Sequence, residues 1–198
     1  MLFRSEISRI GYKDDTVFVG ASRGVFAFGL RDGRKRYLEY SEFKGKPFAS
    51  NPVFYKNSLF VGCDNGTLYE FRPASNDSSP FLQNVWSFKT RQAIRSEPLN
   101  VENRLYFGSD DHRLYALDIQ ERQLLWEYET QGPVCAKPAM NEGILYFGSD
   151  DRRFYALDEK TGKLLWSKSF FGKIRTSPLI QKGRRSEEHT SELQSPNT

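Results

Sequence analysis

Short runs of alternating apolar and polar residues follow one another along most of this chain. Ile144-Leu145-Tyr146-Phe147 and Phe154-Tyr155-Ala156-Leu157 are typical. Such runs, rich in Val, Ile, Phe and Tyr and bounded by Gly, Asp and Asn clusters, predict β-strands joined by tight turns. No stretch carries helical periodicity. The pattern also repeats. Leu105-Tyr106-Phe107-Gly108-Ser109-Asp110-Asp111-His112-Arg113-Leu114-Tyr115-Ala116-Leu117-Asp118 returns 40 positions later as Leu145-Tyr146-Phe147-Gly148-Ser149-Asp150-Asp151-Arg152-Arg153-Phe154-Tyr155-Ala156-Leu157-Asp158. Trp126 and Trp166 keep that offset, as do Pro138 and Pro178. Looser copies lie upstream: Leu59 to Gly62, Leu68 to Phe71, then Trp86 and Pro98; and Val17 to Gly20, Val25 to Phe28, then Tyr37 and Pro52.

The last full copy predicts four strands, over 134–140 (with the proline), 144–148, 154–158 and 163–170 (with the tryptophan). Four short antiparallel strands recurring every ~40–50 residues are the signature of a β-propeller blade, which must stack on its neighbours to bury its faces. The expected fold is therefore all-β, a propeller of four-stranded antiparallel blades forming an incomplete ring over 3–183. Blades are expected at 3–47, 48–93, 94–133 and 134–173, with the first strand of a fifth begun at 174. Pro73-Ala74-Ser75-Asn76-Asp77-Ser78-Ser79-Pro80 reads as a protruding loop within the second copy.

The segment 184–198 breaks the pattern and is expected to be disordered. Within it, Arg185 to Ser195 resembles the translation of a common short-read sequencing adapter, which predicts an artefactual tail and a natural chain continuing past about Gly183.

These repeats resemble the quinoprotein-like family, named for its pyrroloquinoline-quinone repeat, whose tryptophan-docking motif runs Ala-x-Asp-x-x-Thr-Gly-x-x-x-Trp. The fourth copy matches it with Ala156, Asp158, Thr161, Gly162 and Trp166; the third keeps Ala116, Asp118 and Trp126 but has Glu121-Arg122 for Thr-Gly; the second keeps Trp86. The resemblance spans about 3–182. Each motif residue has a structural reading: Thr161-Gly162 makes the turn, and the tryptophan packs across to the next blade with its indole N–H seeking an acceptor.

The 198 residues hold 2 Cys and 2 His, which excludes a disulfide scaffold and a multi-cysteine zinc site and leaves little for histidine-based catalysis. Cys63 and Cys135 read as separate buried thiols. The resemblance admits a truncated quinone-dependent dehydrogenase, but the adjacent cysteines and the carboxylate and calcium-ligand loops of such enzymes have no counterpart here, so no catalytic, cofactor or metal residue is assigned. Asp110-Asp111 and Asp150-Asp151 read as turn residues. The expected role is a non-catalytic scaffold or ligand-binding module that takes a protein or a small anionic ligand. The resemblance also suggests an outer-membrane β-barrel assembly propeller or a sensor region of a larger chain. Arg4, Arg95, Lys137 and Arg175 are candidates for a basic channel rim that attracts an anion; the competing reading pairs the arginines with turn aspartates. The net charge of +4 is dispersed rather than gathered in a stripe, so nucleic acid is not expected. No run of ~18 apolar residues predicts a membrane span. The start carries no apolar leader and reads as cytoplasmic, whereas the family resemblance implies a frequent periplasmic home. Unpaired blade edges would favour self-association.

Overall fold

A computed structural model describes residues 9–13, 16–21, 24–38, 47–73 and 82–181. Arg4 and the segment 184–198 lie outside them, as does most of the loop expected at 73–80. The described residues form four separate four-stranded antiparallel sheets, each a simple meander. The first holds β1 (Arg9–Lys13), β2 (Thr16–Ala21), β3 (Gly24–Gly29) and β4 (Lys35–Leu38). The second holds β5 (Val53–Tyr55), β6 (Ser58–Gly62), β7 (Thr67–Pro73) and β8 (Leu82–Lys89). The third holds β9 (Leu99–Val101), β10 (Arg104–Gly108), β11 (Arg113–Asp118) and β12 (Gln123–Glu129). The fourth holds β13 (Ala139–Asn141), β14 (Ile144–Gly148), β15 (Arg153–Asp158) and β16 (Leu164–Ser169). These are propeller blades.

The short first strand of a blade is half-buried, the two middle strands are buried and the last is largely exposed. Apolar faces meet between sheets. Phe60, Leu68 and Ile94 pack with Leu105, Phe107 and Tyr115, and Tyr106, Leu114 and Val134 pack with Leu145, Phe147 and Tyr155. Tyr128, on the outer strand of the third blade, meets Phe147 and Tyr155 of the fourth edge-on. Each sheet shifts register at one equivalent place: after Ala27, Glu70, Ala116 and Ala156. These residues face Tyr37, Trp86, Trp126 and Trp166 across the ladder. A bulge there bends the outer strand and increases its twist just where the large aromatic residue sits.

The first strand of the fourth blade departs from the expected 134–140: only Ala139–Asn141 pairs with β14. The preceding residues cross between blades and direct their polar groups to the blade before. Val134 N–H donates to the Ser109 carbonyl at 3.1 Å, and the Ala136 carbonyl accepts from Ser96 Oγ at 2.8 Å. Pro138, with no N–H to give, fits this unladdered segment. Glycine ends the second strand because the crossover lands on it. A Cβ on Gly108 would lie 2.4 Å from Val134 Cγ1, and Gly62 and Gly148 meet Ile94 and Ile174 in the same way.

Candidate functional site

The most constrained side chains lie where blades meet. On β12, Trp126 leans onto the fourth blade, and its Nε1–H donates to the Glu159 carbonyl at 3.1 Å. Its ring covers Gly162, where a Cβ would come within 2.6 Å of Trp126 Cδ2. Gly162 also has φ +68°, in the left-handed region, so two independent requirements select glycine there. The turn that presents it is built locally. Asp158 Oδ1 accepts from Thr161 N–H at 2.8 Å and Thr161 Oγ1 at 2.7 Å, and Gly162 N–H donates to the Asp158 carbonyl. Those bonds hold the Asp158 carboxyl below its ordinary range. Asp118 Oδ1 accepts from the Gln120 and Glu121 N–H groups in the equivalent turn, at 2.8 and 2.9 Å. Ala116 and Ala156 are fully buried, leaving room for the tryptophan opposite. Glu159, from the same turn, accepts from Arg104 and Tyr106 of the third blade. Trp86 is half-buried beside Phe88, whereas Trp166 is 41% exposed and rests on Tyr146 and Phe154 of its own blade.

A second cluster follows the turns between the two middle strands of a blade. Each Ser-Asp-Asp turn touches the crossover segments. Asp111 Oδ2 accepts from Arg91 N–H at 3.0 Å and Tyr115 OH at 2.8 Å; Asp151 Oδ2 accepts from Gln131 N–H at 3.0 Å and Tyr155 OH at 2.6 Å. The first aspartate of each turn meets a cation of the crossover that follows or precedes it. Arg175 Nε and Nη2 donate to the two oxygens of Asp150 at 2.8 and 2.6 Å, a bidentate pair, and Lys173 adds a third donor. These contacts hold the Asp150 carboxyl below its usual range, chiefly through Arg175. Arg95 bridges Asp64, 3.1 Å from its Nε, and Asp110. Lys137 pairs with Glu97. Thus Arg95, Lys137 and Arg175, the described candidates for a channel rim, are each met by a carboxylate.

Cys135 stands at the repeat position of Arg95 and Arg175. Its thiol lies 3.5 Å from Asp110 Oδ1, and burial with that carboxylate pushes it up to about 11. Cys63 is fully buried, and burial raises its thiol too. Both are free. Among the described residues no three His, Cys, Asp or Glu side chains gather to hold a metal ion, and no helix is long and apolar enough to cross a membrane. His112 occupies a turn at φ +71°, its carbonyl accepting from Thr130.

Sequence reasoning passed over one group. Glu70, fully buried on β7, accepts from Ser58 Oγ at 2.7 Å, Arg72 Nη2 at 2.6 Å and, across the blade interface, Arg122 Nη2 at 3.1 Å. The available signal was its departure from the motif: Glu70 stands at the Ala116 position, Arg72 at the Asp118 position and Arg122 at the Gly162 position.

Comparison with known proteins extends this picture. A family profile described as outer membrane protein assembly factor BamB matches residues 41–137 and 131–193. The structure is similar to crystallographic BamB from Moraxella catarrhalis, with a TM-score of 0.70 and 18% identity over 85% of this chain and 52% of that one. It is also similar to the computationally designed Ika4 protein, with a TM-score of 0.65 and 19% identity over 79% of this chain and 93% of that one. The chain thus spans about half the length of the Moraxella protein. By sequence, no curated protein matches.

Proposed function

This chain belongs to the pyrroloquinoline-quinone-repeat propeller family described as outer membrane protein assembly factor BamB, and from that premise we propose that it is a non-catalytic module acting through protein contacts in outer-membrane protein assembly. The observation that carries the non-catalytic part is the employment of its polar repeat residues. Asp111 and Asp151 hold crossovers and tyrosines, Asp158 holds its turn, and Asp150 and Glu159 hold neighbouring segments. Each of these carboxylates is engaged by backbone, hydroxyl or cationic donors that hold the fold together. The turn face, with Arg91, Gln131 and Arg152 exposed and backed by a rigid sheet, suits a protein partner.

The test is site-specific photo-crosslinking. The chain, exported to the periplasm of a bacterium lacking its own BamB, carries the probe at position 91, 131 or 152, with position 163 on the outer edge as control. Crosslinks from the turn face to a component of the outer-membrane protein assembly machinery are expected. Equal labelling from position 163, or no such product from a folded chain, refutes the reading. Calcium-dependent binding of pyrroloquinoline quinone, with its absorbance change, would favour the dehydrogenase alternative instead.

A further inference from the structure

Between the second and third blades the repeat changes its chemistry in a concerted way. The turn before β6 has Lys56 where later copies have Glu102 and Glu142, and all three hold a positive φ of 50–53°. On β7, Arg72 replaces Asp118 and Asp158. On the facing turn, Arg122 replaces Gly162 and keeps its left-handed backbone at φ +56°. Three positions that are acidic or uncharged elsewhere are cationic here. All three line one cavity of about 450 Å³, together with Tyr55, Asn57, Ser58, Ile119 and Gln120. That size falls within the range of small-molecule sites.

Two guanidinium groups meet one carboxylate among the described residues: Glu70 is buried and accepts from Ser58, Arg72 and Arg122. Each guanidinium carries five N–H donors. Arg72 directs two of its groups at Ser58 and Glu70, and Arg122 directs one at Glu70; their side chains remain 47% and 35% exposed. Glu70 therefore orients both guanidinium groups while leaving donors toward the cavity. Lys56 Nζ stands 4.9 Å from the Tyr55 ring centroid on the same wall. Planar guanidinium forks match the oxygens of phosphate and carboxylate, and a lysine adds a point charge.

We propose that this cavity binds a small soluble molecule bearing a phosphate or carboxylate group, with the oxyanion against Arg72 and Arg122, near Lys56, and the remainder against Tyr55 and Ile119. The assignment is independent of the assembly role. It is tested by titrating the full chain calorimetrically at low salt with glycerol 3-phosphate and, separately, succinate. Saturable binding of at least one probe is expected, and the tighter probe identifies the oxyanion. Lys56→Glu, which restores the repeat's acidic residue at an exposed turn, should weaken binding about tenfold, and Arg122→Gly at least as much. Glu70→Ala, which restores the repeat's alanine, frees both guanidinium groups and should tighten binding about tenfold. Circular dichroism checks each variant's fold, and Lys56→Glu keeps the test valid if the interface variants unfold. Absence of saturable binding by the parent chain up to roughly 10 mM, a bound with ΔG near −3 kcal/mol, overturns the proposal, as does binding that Lys56→Glu leaves unchanged.

Discussion

Replacing Trp126 with alanine removes a half-buried indole that closes the interface between the third and fourth blades, along with its hydrogen bond to the Glu159 carbonyl. A Trp→Ala change in a full core costs roughly 3–5 kcal/mol. Trp126 is only partly buried and the freed carbonyl can hydrate, so about 2–3 kcal/mol is expected. Trp166→Ala is the internal control: the same residue type at the same repeat position, but 41% exposed and resting on its own blade. It should cost about 1 kcal/mol or less. Gly162→Ala attacks the same contact from the other side. The left-handed backbone costs a β-carbon roughly 1–2 kcal/mol. The approach to Trp126 adds an overpacking cost of roughly 1–3 kcal/mol. In a Trp126→Ala background the ring is gone, so Gly162→Ala should then cost only the backbone part, roughly 1–2 kcal/mol. The cycle should thus show coupling of about 1–3 kcal/mol. Urea unfolding followed by far-ultraviolet circular dichroism reads all four chains, fitted as stacked units because blades interact only with neighbours. Equal costs for Trp126→Ala and Trp166→Ala, or additive costs for Trp126→Ala and Gly162→Ala, would refute the docking argument.

Three further outcomes follow from the polar contacts. Arg122→Ala should destabilise by about 2–3 kcal/mol, less than a fully orphaned buried charge because Arg72 still meets Glu70; the double change Glu70→Ala with Arg122→Gly should recover most of that loss in the same unfolding assay. The Asp150 carboxyl is held below its unfolded value by Arg175, so its contribution is present above that value, near pH 4, and lost as pH falls through the folded one; Arg175→Gln should flatten the fall in unfolding midpoint between about pH 5 and 2.5. With its thiol pushed up to about 11, Cys135 should alkylate with iodoacetamide at pH 8 about 100-fold more slowly than an ordinary cysteine, and Asp110→Asn should speed it, as mass spectrometry of the labelled peptide would show.

Much of the fold was legible because a strand inside a blade obeys local rules. Alternation set β14 and β15 within a residue of where they lie, and glycine and aspartate marked their turns. The segment 134–140 misled because its alternation reflects burial between blades rather than pairing within one, and only its last two residues join a ladder. The candidate site was less readable. The repeat offered two readings of its arginines, a free rim or partners of the turn aspartates, and the structure pairs Arg175 with Asp150 across 25 positions; the third donor, Lys173, had no signal in a linear pattern. The repeat likewise assigned tryptophan to the next blade without showing that the landing place is the glycine of the following motif. Glu70 escaped notice, and Arg122 registered only as a lapse from Thr-Gly, because each, taken alone, looks like decay of a consensus. Their significance lies in correlation across an interface.

That correlation bears on how the chain avoids misassembly. Units this alike can mispair during folding, and a blade that skips its successor still meets nearly the same surface. Glu70 penalises one such slip. If the second blade docked on the fourth, its buried carboxylate would face Gly162 rather than Arg122, losing the only partner that the facing turn supplies. A buried charge deprived of its partner costs roughly 3–5 kcal/mol. Arg72 stays on its own blade and can offset only part of that. A single ion pair therefore marks which unit follows which, much as a keyed joint fixes the order of otherwise interchangeable parts.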